Sequence, residues 1–487
     1  MKLVFINKQG CFFIYLVISL FVSAFNIFFV KDMLMAAILV AFEILFLLVS
    51  LLKKNLVNFL ALYTIFISNC IEFSVFLGSQ TFFNLKNFRF LGVNLGVWVL
   101  LPAVLFVLLR PLQLGIIKNK FNKFYFFTKY LLFLNLLAAL VGLLLILIDD
   151  NHITTFENVY SLYIQQAYQM LFLPLSIGII MYHILLFTPK DLFKLAFALE
   201  ATLWGCVFQL VLAWQFNLFG TYGLVNTLLA SNITFLIPFI ILLTIDAKHM
   251  LFPKMNLLIG IVGTVLLFMY NPNGKHFFIF LVTVIALTLY FIKSKSLIYK
   301  IITLLCVLLT GVMLTILIPI FSEQSVLFNS KYNQALSLIS IFSNNWFSNL
   351  PSSPKTRIVE IINVIIEFLN KPWLFITGKG YMGSIRDHLQ MFTGYMGAFS
   401  YAEWINNIYF NLHEIATQLL MYGLLGIWYS YKLVATVVLN WKENAWLFIA
   451  GLWYLVLYGY SFTLSAFCIV AFYYSLSIIE KNAGYSR

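Results

Sequence analysis

The chain has 487 residues, of which 62% are hydrophobic, 18% aromatic and only 10% charged, against roughly 45–50% apolar and about 25% charged in a soluble domain. Both departures point the same way. They exclude a soluble enzyme, a disordered chain, a collagen and a disulfide scaffold, and leave a polytopic membrane protein. The net charge of +13 does not indicate nucleic acid, because the basic residues form short clusters between apolar runs (Lys53-Lys54; Lys118, Lys120 and Lys123; Lys293 and Lys295) and not one continuous basic face.

Apolar runs long enough to approach the roughly 20 residues of a membrane helix lie near 11–30, 33–52, 55–77, 91–109, 130–148, 169–187, 195–215, 229–245, 256–271, 276–292 and 300–321. After a long interval come 408–440, 446–460 and 462–479. The fold class expected is an all-α integral membrane protein of about 14 spans. About 11 of them fall in residues 1–321, a large external loop occupies 322–407, and an amphipathic helix and the last spans occupy 408–487. Lys2, Lys8 and Val22-Ser23-Ala24 imitate a cleavable leader, but the apolar run continues to Val30 and favours an uncleaved first span. With the N-terminus inside and the spans alternating, about 20 of the 30 Lys and Arg residues face the cytoplasm and about 10 face outward. Six of those ten sit in the long loop, which the positive-inside rule does not count. Both termini are therefore expected in the cytoplasm and the long loop outside. Cys11, Cys70, Cys206, Cys306 and Cys468 each lie within an apolar stretch with no CxxC spacing, and read as small buried hydrophobes.

Glu43 and Glu200 interrupt apolar runs. A charge there is costly and functional by default, but pairing across helices to hold the bundle is the favoured reading. Asp149-Asp150-Asn151-His152, in an earlier external loop, is the best metal-ligand cluster in the sequence, set against an ordinary solvated loop. In the long loop, Ser353-Pro354 offers an N-cap and a proline at the first helical position. Residues 355–369 then carry a polar stripe of Arg357, Glu360, Asn363 and Glu367 at steps of three and four. Pro372 ends the helix, and the loop Gly378-Lys379-Gly380-Tyr381-Met382-Gly383 follows. A second amphipathic helix is expected from Asn406, through Asn407, Asn411, Glu414 and Gln418, with Gly423 ending or bending it.

Three segments in order resemble the O-antigen polymerase and O-antigen ligase superfamily. The first is Asn271-Pro272-Asn273-Gly274-Lys275, where the family often has Ser-Arg-Gly. The second is Arg357 opening a helix, followed by Pro372, Trp373, Gly378 and Gly380. The third is His413-Glu414 ahead of Tyr422-Gly423-Leu424-Leu425-Gly426, where the family commonly has His-Asn before a Gly-Leu-x-Gly step. The resemblance spans about residues 255–480. It departs at Lys275, where arginine is expected and the bidentate fork is lost, and at Glu414, where asparagine is expected.

The resemblance implies a metal-independent glycosyltransferase without a cofactor, whose donor is a glycan on a polyprenyl pyrophosphate. Its place would be the outer face of a bacterial inner membrane, where it would polymerise O-antigen or capsule repeat units, with membrane lipids around it and a chain-length regulator as a further partner. A ligase that transfers finished glycan to lipid A–core or to protein is the alternative. A lipid-linked oligosaccharide flippase is the alternative of another class, weakened by the absence of a sequence repeat. The leaving pyrophosphate needs cations, and the acceptor hydroxyl needs a base. Arg357 and Lys275 are assigned to the pyrophosphate and His413 to the base or to acceptor positioning, with Lys379 and Arg386 adding positive field. Trp346, Trp373 and Trp404 are candidates for stacking on sugar rings. The plain alternatives are that Arg357 pairs with Glu360 on a solvated helix face, that His413 is an ordinary interfacial histidine, and that Lys275 is a snorkelling helix-end lysine.

Overall fold

The structure is a computed structural model. It describes residues 2–29, 32–70, 84–85, 88–91, 93–109, 122–156, 158–187, 191, 193–216, 251–252, 255–256, 258–260, 262–263, 266, 301, 346–350, 352–392, 399 and 401–439. The described part is predominantly helical. In chain order it contains α1 (Lys2–Phe28), α2 (Met33–Leu52), α3 (Leu56–Ser68), the strands β1 (Arg89–Phe90) and β2 (Val93–Asn94), α4 (Leu95–Trp98), α5 (Leu100–Leu108) and α6 (Asn122–Leu147). A 3₁₀ turn at His152–Thr155 leads to α7 (Val159–Ala167), which runs through a π-helical turn at Tyr168–Phe172 into α8 (Leu173–Phe187), and α9 is Phe193–Gln215. The C-terminal part has α10 (Trp346–Asn349), α11 (Ser352–Leu369), α12 (Leu374–Thr377), α13 (Tyr401–Asn406) and α14 (Glu414–Leu439). Among the described residues four helical stretches are long and apolar enough to cross a membrane: Gln9–Phe28, Met33–Leu52, Val159–Met181 and Phe193–Ala213.

Helix ends follow local chemistry. Asp32 caps α2 by accepting from the Leu34 and Met35 amides, and Asn55 caps α3 by accepting from that of Asn58. The span expected from residue 91 begins at Leu95, because Arg89–Phe90 and Val93–Asn94 close an antiparallel hairpin with Leu91 at φ +50°. The span expected at 169–187 starts ten residues earlier, since α7 joins α8 through the π turn. The expected runs at 229–245, 276–292, 446–460 and 462–479, and that at 300–321 apart from Ile301, lie outside the described residues.

Two apolar bodies result. In the first, α1, α2, α3, α5, α8 and α9 bury one cluster. A polar knot pins three of these helices. Asn69 donates to Ser19 Oγ (2.9 Å), its carbonyl accepts from Asn26 and Gln209, and Cys206 Sγ lies 3.2 Å from its Oδ1. A Cβ at Gly205 would collide with the Ser19 hydroxyl, so glycine lets α1 and α9 meet there. Glu200 accepts from the amides of Leu251 and Phe252 and from Asn256 Nδ2, capping the segment that follows. That is a structural role for this carboxyl. Glu43 is buried on α2, with no hydrogen-bond partner for its carboxyl among the described residues.

The second body is α6, α11, α12 and α14 with residues 378–392, 399 and 401–413 between them. The Gly378–Gly383 loop wedges between α6 and α14. Gly423 breaks α14 (φ +58°, ψ −148°), and the carbonyls at the break accept from the loop: Lys379 N to Leu420 O is 2.6 Å and Gly380 N to Met421 O is 3.1 Å. On the other side Tyr381 N donates to Ala138 O of α6 (2.9 Å). Gly380 has φ +70°, and a Cβ there would overlap Ala138 O and the Gly142 backbone. Glycine is required at that position both by conformation and by closeness.

Candidate functional site

The polar stripe of α11 points inward, and this reverses the solvated-face reading. Glu360 and Asn363 are fully buried and Glu367 nearly so, while Val359, Val364 and Phe368 complete the inner face. Each stripe carboxylate holds a different segment in place.

Glu360 holds His413. Its Oε1 lies 2.7 Å from His413 Nδ1 and its Oε2 accepts from the His413 backbone N–H at 3.0 Å. A carboxylate only accepts, so the shared proton resides on Nδ1 and the Nε2 lone pair is left for chemistry. The ring is about one-third exposed (32% for the side chain) and its edge meets Phe399 at 6.3 Å between centroids. The His413 carbonyl opens α14 by accepting from the amides of Ala416 and Thr417, which places the histidine at the positive end of a helix.

His413 is not within a helix that starts at Asn406, as the sequence suggested. α13 stops there, Asn407 takes φ +52°, and Tyr409 pairs with Ile385 through two 2.9 Å backbone hydrogen bonds. Buried Glu403 fixes this return by accepting from the amides of Phe410 and Asn411. The chain reaches α14 only at Glu414.

Glu367, two turns further along α11, is a hub. Its Oε1 accepts from His152 Nε2 (3.0 Å), His388 Nε2 (2.9 Å) and the Arg386 amide (3.3 Å), and its Oε2 from Lys379 Nζ (3.0 Å). Burial by itself would raise the Glu367 pKa. The hydrogen bond from His152 and the charge and hydrogen bond of Lys379 outweigh it and hold the carboxyl well below the usual range. Burial draws the Lys379 ammonium pKa down, with Glu367 opposing. Lys379 also donates to Ser384 O at 2.7 Å and is nearly inaccessible, so its charge is spent within the protein and not presented to a phosphate. Tyr409 is pushed up to about 12 by burial, with the charges of Asp387 and Glu403 adding.

The Asp149–His152 loop is exposed at Asp149, but its other three residues are tied into the protein and the loop is not arranged as a metal site. Asp150 pairs with Lys371, Asn151 donates to Met382 O and accepts from Ser384 Oγ, and His152 binds Glu367. Among the described residues no three His, Cys, Asp or Glu side chains are arranged to hold a metal ion. At Glu367 the carboxylate oxygens are already taken by two imidazoles and an ammonium.

Arg357 lies one turn before Glu360 on α11 and is partly exposed. The structure therefore brings together Glu360 and His413, and the helix carries Arg357 one turn away from that pair. Arg386 is exposed beside the hub. Trp404 is half-buried on α13, Trp346 is exposed on α10, and Trp373 is exposed on the turn after α11. Lys275 lies outside the described residues. Sequence reasoning missed Glu360 and Glu367 as site residues. Their signal was the three-and-four spacing with Arg357, which specifies a common face but not its partner. No family model, curated protein or solved structure matches this chain.

Proposed function

We propose that this protein is an integral membrane glycosyltransferase that polymerises polyprenyl-pyrophosphate-linked repeat units at the outer face of a bacterial inner membrane. In this reading both termini are cytoplasmic and the long loop of residues 322–407 is external, with His413 just beyond it. The observation that carries it is the buried Glu360 carboxylate fixing His413 in the tautomer that leaves Nε2 basic, with Arg357 one helical turn away.

In the reaction His413 Nε2 takes the proton from an acceptor hydroxyl as that oxygen bonds to the anomeric carbon of the donor. The bond from that carbon to the pyrophosphate breaks, and the lipid pyrophosphate leaves with the electron pair. Glu360 stabilises the imidazolium that forms, and Arg357 meets the growing negative charge with a guanidinium fork suited to phosphate oxygens. The amide-rich start of α14 at His413 favours the same anion. Single attack at the anomeric carbon inverts its configuration.

The test is incubation of the purified protein with polyprenyl-pyrophosphate repeat units, with products resolved on a glycan gel. A ladder of added repeats that His413→Ala abolishes supports the proposal. An unconsumed donor, or a ladder unchanged by that substitution, overturns it.

A further inference from the structure

The outward side of α11 is the unusual one. Over residues 355–369 every residue that is exposed is apolar, namely Ile362, Ile365 and Leu369, while the carboxylates and Asn363 are inside. At 100° per residue these three fall within a 60° arc. The ridge continues past the helix end through Trp373 and Ile376, and its five members are 37% to 64% exposed. Such a helix is inverted for water, where this face would be polar and the opposite one apolar.

The neighbouring geometry says what medium suits it. The wedge that follows α12 contacts α6 at Ala138 and Gly142 and α14 at Gly423. At 1.5 Å per residue, Ala138 is about 13 Å from the Leu147 end of α6, and Gly423 about 13 Å from the Glu414 end of α14. Both helices carry apolar stretches there, Leu132–Leu147 and Ile415–Tyr429. Their outward residues, Leu136, Leu140 and Leu144 on α6 and Leu424 and Ile427 on α14, are exposed as well. The carbonyls of Phe375 and Ile376 would touch a Cβ at Gly423, so the far end of the ridge sits at that depth. Trp373 and the Lys371–Asp150 pair lie between this end and α11, where an aromatic ring and a basic residue suit a lipid headgroup boundary.

We propose that α11 and α12 lie in the bilayer surface, with Ile362, Ile365, Leu369 and Ile376 among the acyl chains of one leaflet and Trp373 at their headgroup edge, so that the Glu360–His413 pair is held at headgroup level from below. This assignment is independent of the glycosyl-transfer chemistry. The experiment is spin-label accessibility on the full chain in lipid nanodiscs. Single added cysteines at Ile362, Leu369 and Ile376 are compared with exposed polar references at Asn370 and Arg386, and the parent chain is subtracted for its native cysteines. At the three ridge sites, collision with oxygen is expected to exceed collision with a water-soluble nickel chelate several-fold, and the references should show the reverse. Nickel-chelate access equal to the references would place the ridge in water and overturn the proposal. Shielding from both reagents would mean a protein cover and would overturn it equally. As a second readout, the fluorescence lost in Trp373→Phe should be the part quenched by dibrominated acyl chains. If iodide alone quenches that part, the assignment fails.

Discussion

Glu360→Gln is the sharpest probe of the site. The carboxylate receives two donors from one residue, the His413 backbone N–H at 3.0 Å and the Nδ1–H at 2.7 Å, and no water reaches it. Glutamine has the same shape but only one acceptor oxygen. If that oxygen takes the backbone N–H, the amide NH₂ faces Nδ1. The ring must then carry its proton on Nε2, which removes the base. If the amide flips, the NH₂ faces the backbone N–H and a buried donor is left unsatisfied, at a cost of about 1–3 kcal/mol. The first outcome keeps the fold and loses general-base catalysis, a factor of roughly 10²–10⁴, or about 3–5.5 kcal/mol in the barrier. The assay is the initial rate of ladder growth, run beside thermal unfolding in detergent so that a folding defect is not mistaken for a catalytic one. A folded Glu360→Gln protein with a rate within about threefold of the parent would refute the reasoning, whatever His413→Ala does.

The Glu367 hub makes a pH prediction. Its carboxyl pKa is lowered on folding from an ordinary 4.5, so its contribution to stability is fully present above that value and is lost as pH falls towards the folded pKa. Thermal unfolding between pH 7 and pH 3 should show the parent losing stability below about 4.5, while Glu367→Gln starts lower and changes less. Gly380→Ala should cost about 1–2 kcal/mol for a left-handed backbone plus about 1–3 kcal/mol for overpacking against α6, seen as a lower melting temperature or loss of folded protein. Gly10→Ala, where a Cβ meets nothing within 4 Å, should instead be neutral or stabilise α1 by up to about 1 kcal/mol. Asn69→Ala should loosen α1, α3 and α9 by about 0.6–1.7 kcal/mol per hydrogen bond lost, measured by unfolding of the full chain in detergent.

The sequence was most informative where one period dominates. The apolar runs placed α2, α9 and the apolar part of α1 to within a few residues, because a 20-residue apolar stretch has few alternatives to a helix; α1 itself begins nine residues earlier, at Lys2. The helix expected over 355–369 and its end before Pro372 were equally legible, although it begins at Ser352, so that Ser353 lies within its first turn and is not the N-cap. What was not legible was the sidedness of that helix. Periodicity shows that Arg357, Glu360, Asn363 and Glu367 share a face, but which face is buried depends on whether the other side meets water or lipid. It depends also on partners as remote as His152 and His413. The false helix start at Asn406 has a local cause. Asn407, Asn411 and Gln418 continue a helical spacing with Glu414, but Asn407 is tolerant of positive φ and Glu403 captures the amides of the return. Lys379 was read as adding positive field for the pyrophosphate because it is a cation in the external loop. Only the placement of Glu367 and Ser384 shows its charge to be used internally.

The contacts of the Asp150–His152 loop also impose an order of manufacture. His152 precedes its partner Glu367 by 215 residues, and Asn151 precedes Met382 by 231. At about 5–20 residues per second, a ribosome needs roughly 10–40 s to supply those partners. During that time the loop leaves α6 with Asp150, Asn151 and His152 lacking those later partners. A nascent chain stopped before residue 352 would hold the first helices with this loop still open, and protease cutting at 149–156 should cease only when α11 and the wedge have been made.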